Sequence, residues 1–215
     1  MKLPQGFRSA SIAAGLKSTG ALDLTLIENQ GPKFNAAAVF TTNKVVAAPV
    51  IWSRQVAKGG IVRAVVLNSG GANACTGPQG FADTHKTAEH VGQLLTVSSG
   101  EVIVCSTGLI GELLPMPKIV AGLDAIAPLL DNDGLQTSAQ AIMTTDSVAK
   151  IATANFNGAE FAGIAKGAGM LAPALATMLS VVMTDAVVSD NTQEIFQRAT
   201  DRTYNRIDSD GCTST

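Results

Sequence analysis

The chain is poor in aromatic residues (4%) and in charge (15% Asp, Glu, Lys and Arg), and its three cysteines are scattered. Each shortage excludes something. With so few aromatic rings, a core has to be built from Ala, Val, Ile and Leu, small side chains that let layers approach closely. A formal net charge of -2 provides no basic field for nucleic acid. Cys75, Cys105 and Cys212 include no C-x-x-C pair, which argues against a disulfide framework or a zinc site and for a reducing compartment. No apolar run approaches the roughly 18–20 residues of a membrane-spanning helix. The opening MKLPQGFRSAS has neither the apolar centre of a secretory signal nor the Arg-rich amphipathy of a transit peptide. The expectation is a cytoplasmic protein with no membrane and no nucleic-acid partner.

What is present is hydrophobic material, 46% of 215 residues, enough for a sizeable core. The first third predicts short strands at Arg8–Leu16, Leu22–Glu28, Ala36–Thr41 and Val62–Asn68, each bounded by Gly, Pro or Asn. A glycine-dense loop, NSGGANACTGPQG, follows. Phe81, Thr84/His85, Ala88, Val91 and Leu95 then recur at helical spacing, predicting a helix from Gly80 to Leu95. A strand at Glu101–Cys105 leads into STGLIG, and Met116–Leu130 reads as a second helix. Asn157-Gly158 predicts a hairpin joining Val148–Phe156 to Phe161–Lys166. Leu179–Asp185 reads as a strand, and Asn191 with Glu194 as a capping box opening a last helix with Ile195, Phe196 and Ala199 on one face. This mixed order predicts α+β layers rather than a regular βαβ winding. The polar ending IDSDGCTST, where another strand would be expected, suggests a chain that continues.

The stretch with most chemical content is KGAGMLAPALATMLSVVMTDA, from Lys166 to Ala186. Glycines allow close backbone approach, and a Thr at the mouth of a core strand is held as a positioned nucleophile must be. A tight loop before a strand accounts for the same residues more simply. The stretch, however, resembles the self-cleaving segment of the ornithine acetyltransferase (glutamate N-acetyltransferase) family, with its A-T-M-L motif. Further blocks share the resemblance in order: GFRSASIAAGLKSTGALDL, VVLNSGGANACTG, FADTHKTAE, VCSTGLIGELLPM and IMTTDS.

The resemblance implies an Ntn-hydrolase-like αββα sandwich, incomplete at the C-terminus in this chain. It implies self-cleavage between Ala176 and Thr177, so that residues 1–176 form the α-chain region and 177–215 the start of the β chain. Thr177 would be the nucleophile, Thr107 and Gly108 the oxyanion hole, and Thr144, Lys166 and Thr177 substrate-binding residues. The implied reaction moves an acetyl group from N-acetylornithine to glutamate in arginine biosynthesis, with no metal and no bound cofactor. Some family members also use acetyl-CoA as donor, a choice this sequence leaves open. The implied partner is the chain's own β chain, in a hetero-oligomer of α and β chains.

Two other readings compete. One is a self-processing aminopeptidase or amidase of related fold, although those relatives generally carry Ser where this chain has Thr177. The other is an inactive fragment lacking the rest of the β chain. Elsewhere the plain readings are preferred. NSGGANACTG lacks P-loop spacing and reads as a close-packing loop near the site. His85 and His90 are five apart rather than four, and His85 reads as a packed histidine. Asp185 reads as a local hydrogen-bonding group, and without the resemblance Thr107, Thr144 and Lys166 would be ordinary turn residues and a solvated lysine.

Overall fold

The computed structural model describes residues 1–170, 178–189 and 191–215. Among these, β1 (Phe7–Ile12), β2 (Leu24–Asn29), β3 (Ala64–Asn68) and β4 (Val102–Ser106) form one sheet in sequence order. The first three strands are antiparallel. β4 runs parallel to β3 after a crossover through helix α2 (Gly77–Leu95). A second sheet holds β5 (Lys150–Phe156), β6 (Ala159–Lys166) and β7 (Leu179–Thr184), all antiparallel.

Strand alternation divides the interior into two compartments. Leu24, Leu26, Val66, Val102 and Val104 face α2 and α3 (Met116–Ile126), where Ala88, Val91, Ile119, Leu123 and Ile126 close an apolar core. Ile27, Leu67 and half-buried Cys105 face the other way. They meet α4 (Leu135–Ala141) and the inner side of the second sheet through Leu135, Ala139, Ala162, Ile164 and Met183. The expected α+β layering is therefore observed, as helices, sheet and sheet. Helix α1 (Ala48–Ala57) protects the edge of β4: Ser53 Oγ donates to Val104 O at 2.8 Å and accepts from Val104 N at 3.1 Å. No helix among the described residues is long and apolar enough to cross a membrane.

Several boundaries depart from expectation for local reasons. β1 stops at Ile12 because the chain then wraps the Asp23 carboxylate, which accepts the N–H groups of Ala14, Leu16 and Lys17 at 2.6–3.0 Å. Residues 36–41 form no strand; Asn35 makes only an isolated bridge to Ile61. α2 begins three residues early, with a proline in its first turn. α3 ends at Ile126 and tightens into a 3₁₀ turn, Ala127–Leu129, because Pro128 cannot continue the ladder. Two helices, α1 and α4, were not anticipated. The Asn157-Gly158 turn forms, with φ of 50° and 83°, and its strands run Lys150–Phe156 and Ala159–Lys166. The capping box does not form. α5 (Thr192–Arg202) has no side-chain cap; Asn191 accepts a hydrogen bond from Ser189 instead, and Ile195 is exposed.

Candidate active site

The site grows from the ends of three strands. β3 leaves the first sheet at Asn68, whose side chain ties the loops on either side together: its Nδ2 donates to Gly71 O at 3.0 Å, and its Oδ1 accepts from Ser106 Oγ at 2.6 Å. The glycine loop then clasps the STGLIG turn. Thr107 N donates to Asn68 O (3.0 Å), Leu109 N to Gly70 O (3.2 Å) and Gly111 N to Ala74 O (2.8 Å). The expectation that NSGGANACTG packs closely is met. Gly108 has φ of 131°, and a Cβ there would lie 2.6 Å from Gly71 N, so the clasp requires glycine. Among the described residues none accepts the Gly108 N–H. Thr107 is buried, while Leu109, Ile110 and Leu113 of the same turn are exposed.

β6 supplies the second component. Its inner face carries Ala162, Ile164 and, at its end, Lys166, only 3% exposed. A solvated lysine is thus ruled out. Lys166 Nζ donates to Thr107 Oγ1 at 3.2 Å, bridging the two sheets. Burial lowers its pKa. The charge of Asp146 opposes that effect, while Lys150 and Lys17 add to it.

The third component is the turn after α4. Thr144 is exposed there, and its N–H donates to Asp146 Oδ2 at 3.2 Å. Asp146 is buried; its Oδ1 accepts from Gly167 N at 2.7 Å and from Lys150 Nζ. Burial pushes this carboxyl's pKa up. The hydrogen bonds from Lys150, Gly167 and Thr144 and the charge of Lys166 outweigh it, leaving the group below its ordinary value. Lys17 stands nearby, its pKa lowered by burial against the attraction of Asp23 and Asp146, and its Nζ donates to Leu22 O at 2.8 Å.

Thr107, Gly108, Thr144 and Lys166 therefore belong to one connected region. Ala176 and Thr177 lie outside the described residues. Sequence reasoning gave no role to Asp146, Lys150 or Lys17. No local pattern pointed to Asp146, because an aspartate in a turn ordinarily accepts an N–H two residues after it, whereas Thr144 precedes it. The remaining candidates prove ordinary. His85 packs on the Trp52 ring at 4.9 Å between centroids, and His90 Nε2 meets Asp124 Oδ1 at 2.7 Å. Asp185 accepts from Glu160 N at 2.8 Å. Burial pushes the Cys105 thiol up to about 12, far from a reactive thiolate. Among the described residues no three of His, Cys, Asp and Glu come together as metal ligands would.

Chemically, the region offers the buried Lys166 ammonium, the Thr107 hydroxyl and a Gly108 N–H that no described residue accepts, with Lys17, Lys150 and the buried Asp146 carboxylate close by. Such an arrangement suits an anion or a developing oxyanion. The ArgJ family pattern matches residues 8–215. The arginine biosynthesis bifunctional protein ArgJ of Thermobifida fusca is 55% identical over 213 residues, 99% of this chain and 56% of the relative. Its counterpart in Streptomyces avermitilis is 55% identical over 212 residues, 98% of this chain and 55% of that protein. The chain thus spans about half the length of the curated relatives it matches. Among solved structures, the ornithine acetyltransferase of Mycobacterium tuberculosis, crystallised with ornithine, aligns with a TM-score of 0.72 and 49% identity, over 80% of this chain and 93% of that one. The ArgJ protein of Bacillus halodurans aligns with a TM-score of 0.71 and 34% identity, over 83% and 97% of the two chains.

Proposed function

The chain belongs to the ArgJ family, and from that premise we propose that it forms part of an ornithine acetyltransferase, moving an acetyl group from N-acetylornithine to glutamate in arginine biosynthesis. Residues 1–176 are the α-chain region and 177–215 the start of the β chain, separated by self-cleavage at Ala176–Thr177. The two chains assemble as a hetero-oligomer in the cytoplasm, without metal or bound cofactor. Acetyl-CoA is the second donor to test.

A threonine hydroxyl is a poor nucleophile without a base beside it. While Thr177 is joined to Ala176 its nitrogen is an amide and cannot act as one. Cleavage frees an α-amino group of pKa roughly 7.7–8.0, close to working pH. That amine takes the hydroxyl proton as oxygen attacks the acetyl carbonyl, then delivers it to the departing ornithine nitrogen. The resulting acetyl-enzyme passes its acetyl group to the glutamate amine by the reverse sequence.

The observation that carries this reading is the bond from buried Lys166 Nζ to Thr107 Oγ1 at 3.2 Å, next to the Gly108 N–H. In the proposed mechanism the Thr107 hydroxyl and Gly108 N–H receive the tetrahedral oxyanion, each such donor contributing about 3–4 kcal/mol to lowering the barrier. The Lys166 ammonium receives a substrate carboxylate, and Thr144 lines the substrate's path.

Intact mass of the full-length gene product tests the first step. Two fragments dividing at Ala176–Thr177 are expected, and Thr177→Ala should remain one chain. Incubation with N-acetylornithine and glutamate should then yield N-acetylglutamate and ornithine. Hydrolysis of a dipeptide in place of transfer would assign the site to a peptidase, and an absence of both cleavage and transfer would defeat the proposal.

A further inference from the structure

We propose that Asp146 is a positioning residue for Lys166: its buried carboxylate fixes the backbone directly after that lysine and supplies the negative charge that keeps the ammonium protonated where a substrate carboxylate must meet it. The inference rests on the acetyltransferase reading and adds to it a residue that acts through Lys166.

The geometry carries the argument. Oδ1 of Asp146 accepts the Gly167 N–H at 2.7 Å, which sets the peptide plane between Lys166 and Gly167 at the point where β6 ends. Oδ2 accepts the Thr144 N–H at 3.2 Å, so one carboxylate joins the turn bearing Thr144 to the strand bearing Lys166. Its side chain is fully buried, whereas that of its partner Lys150 is 43% exposed. A buried carboxylate satisfied by two backbone donors and a lysine is a rigid anchor whose charged form is favoured.

The charges around Lys166 make such an anchor necessary. Lys150 at the start of β5 and Lys17 in the loop after β1 both act against its protonation, as does burial, and Asp146 acts for it. Asp23 offsets Lys17 from the far side, and Thr107, the hydroxyl that Lys166 touches, is uncharged. Neutralising Asp146 would leave three mutually repelling ammonium groups, of which the buried one loses its proton most readily. A neutral Lys166 cannot hold a carboxylate.

The test is titration of Lys166 by NMR on 15N-lysine-labelled full-length protein, assigned with Lys166→Met, beside the pH profile of kcat/KM for glutamate. Asp146→Asn keeps an acceptor for Gly167 but removes the charge. It should lower the Lys166 pKa by about one unit or more, and move the alkaline limb of the profile down equally. Lys150→Gln removes a repelling charge at a half-exposed position and should move both readouts upward. A merely structural role for Asp146 would reduce activity equally at every pH and leave the titration in place; that result in folded Asp146→Asn overturns the inference. If Asp146→Asn does not fold, Lys150→Gln decides, an unmoved or lowered Lys166 pKa being the contrary result. A wild-type enzyme without acetyl transfer would defeat the functional reading, while the NMR titration would still judge the role of Asp146.

Discussion

Two buried polar clusters lie between the sheets, and they are built on opposite principles. Near β1, β2 and α4, Thr25 Oγ1 meets Ser138 Oγ at 2.9 Å and donates to Ala10 O at 3.0 Å, while Ser138 Oγ donates to Ser9 Oγ at 3.0 Å. Every member is neutral and satisfied by the others. At the other cluster, Thr107, Lys166, Asp146 and Lys150 are linked through charges, with Lys17 close by. A neutral, self-satisfied network stabilises one packing arrangement. A buried ammonium flanked by two further lysines costs stability and favours the binding of an anion, as perturbed groups at functional sites commonly do.

The difference can be broken or sharpened by substitution. Lys166→Met should have the largest effect, reducing kcat/KM for glutamate by up to about a thousandfold, since truncating one partner of a buried charge pair costs roughly 2–5 kcal/mol. The same change should raise Tm. Burial lowers the folded-state pKa of Lys166 below its ordinary value of 10.5, so the fold bears the cost of a buried cation below the folded pKa and is relieved of it as pH rises toward 10.5. The Tm gain should therefore be largest at neutral pH and vanish in strong alkali; a uniform Tm loss would contradict it.

Thr107→Val should lower kcat by roughly a few hundredfold, the loss typical of one oxyanion donor, and should also cost roughly 1–3 kcal/mol of stability by removing an acceptor from buried Lys166. Steady-state kinetics beside urea unfolding separates the two effects. In the neutral cluster only stability should fall. Ser138→Ala should cost roughly 1–3 kcal/mol of stability by stripping buried hydroxyls of a partner, while kcat stays at the wild-type value in the transfer assay. The smallest effect is on acid stability. The pKa of Asp146 is depressed from 3.8 in the fold, so its contribution is present above that value and lost as pH falls through the depressed one. Asp146→Asn should be less stable than wild type above pH 3.8 and converge with it in stronger acid, whereas the deficit of Ser138→Ala should not change across that range.

Legibility in the sequence followed how local each determinant is. The Asn157-Gly158 hairpin was readable because a two-residue turn with positive φ at both positions is specified by those residues alone. The helix carrying Ala88 and Val91 was readable because its apolar spacing repeats over several turns. The capping box at Asn191 was misread because its side chain took a nearer partner, Ser189. Helix α4 was overlooked because LQTSAQA has little apolar periodicity; it is stabilised by burial against both sheets, which no local pattern announces. In the site, resemblance singled out Thr107, Gly108, Thr144 and Lys166, but nothing in their spacing marked Asp146 as the group connecting two of them.

By itself the amino-acid sequence determined the α+β layering, the strands whose apolar residues fill both faces of the first sheet and the inner face of the second, and membership of a family recognisable in several separated blocks. Only the tertiary structure decided that Lys166 would be buried against Thr107, 59 residues away in the chain, with Asp146 behind it. The reason is physical. Periodicity and turn chemistry act over a few neighbouring residues, whereas the charge state of a lysine depends on solvent exclusion and on carboxylates brought near it when the sheets pack together.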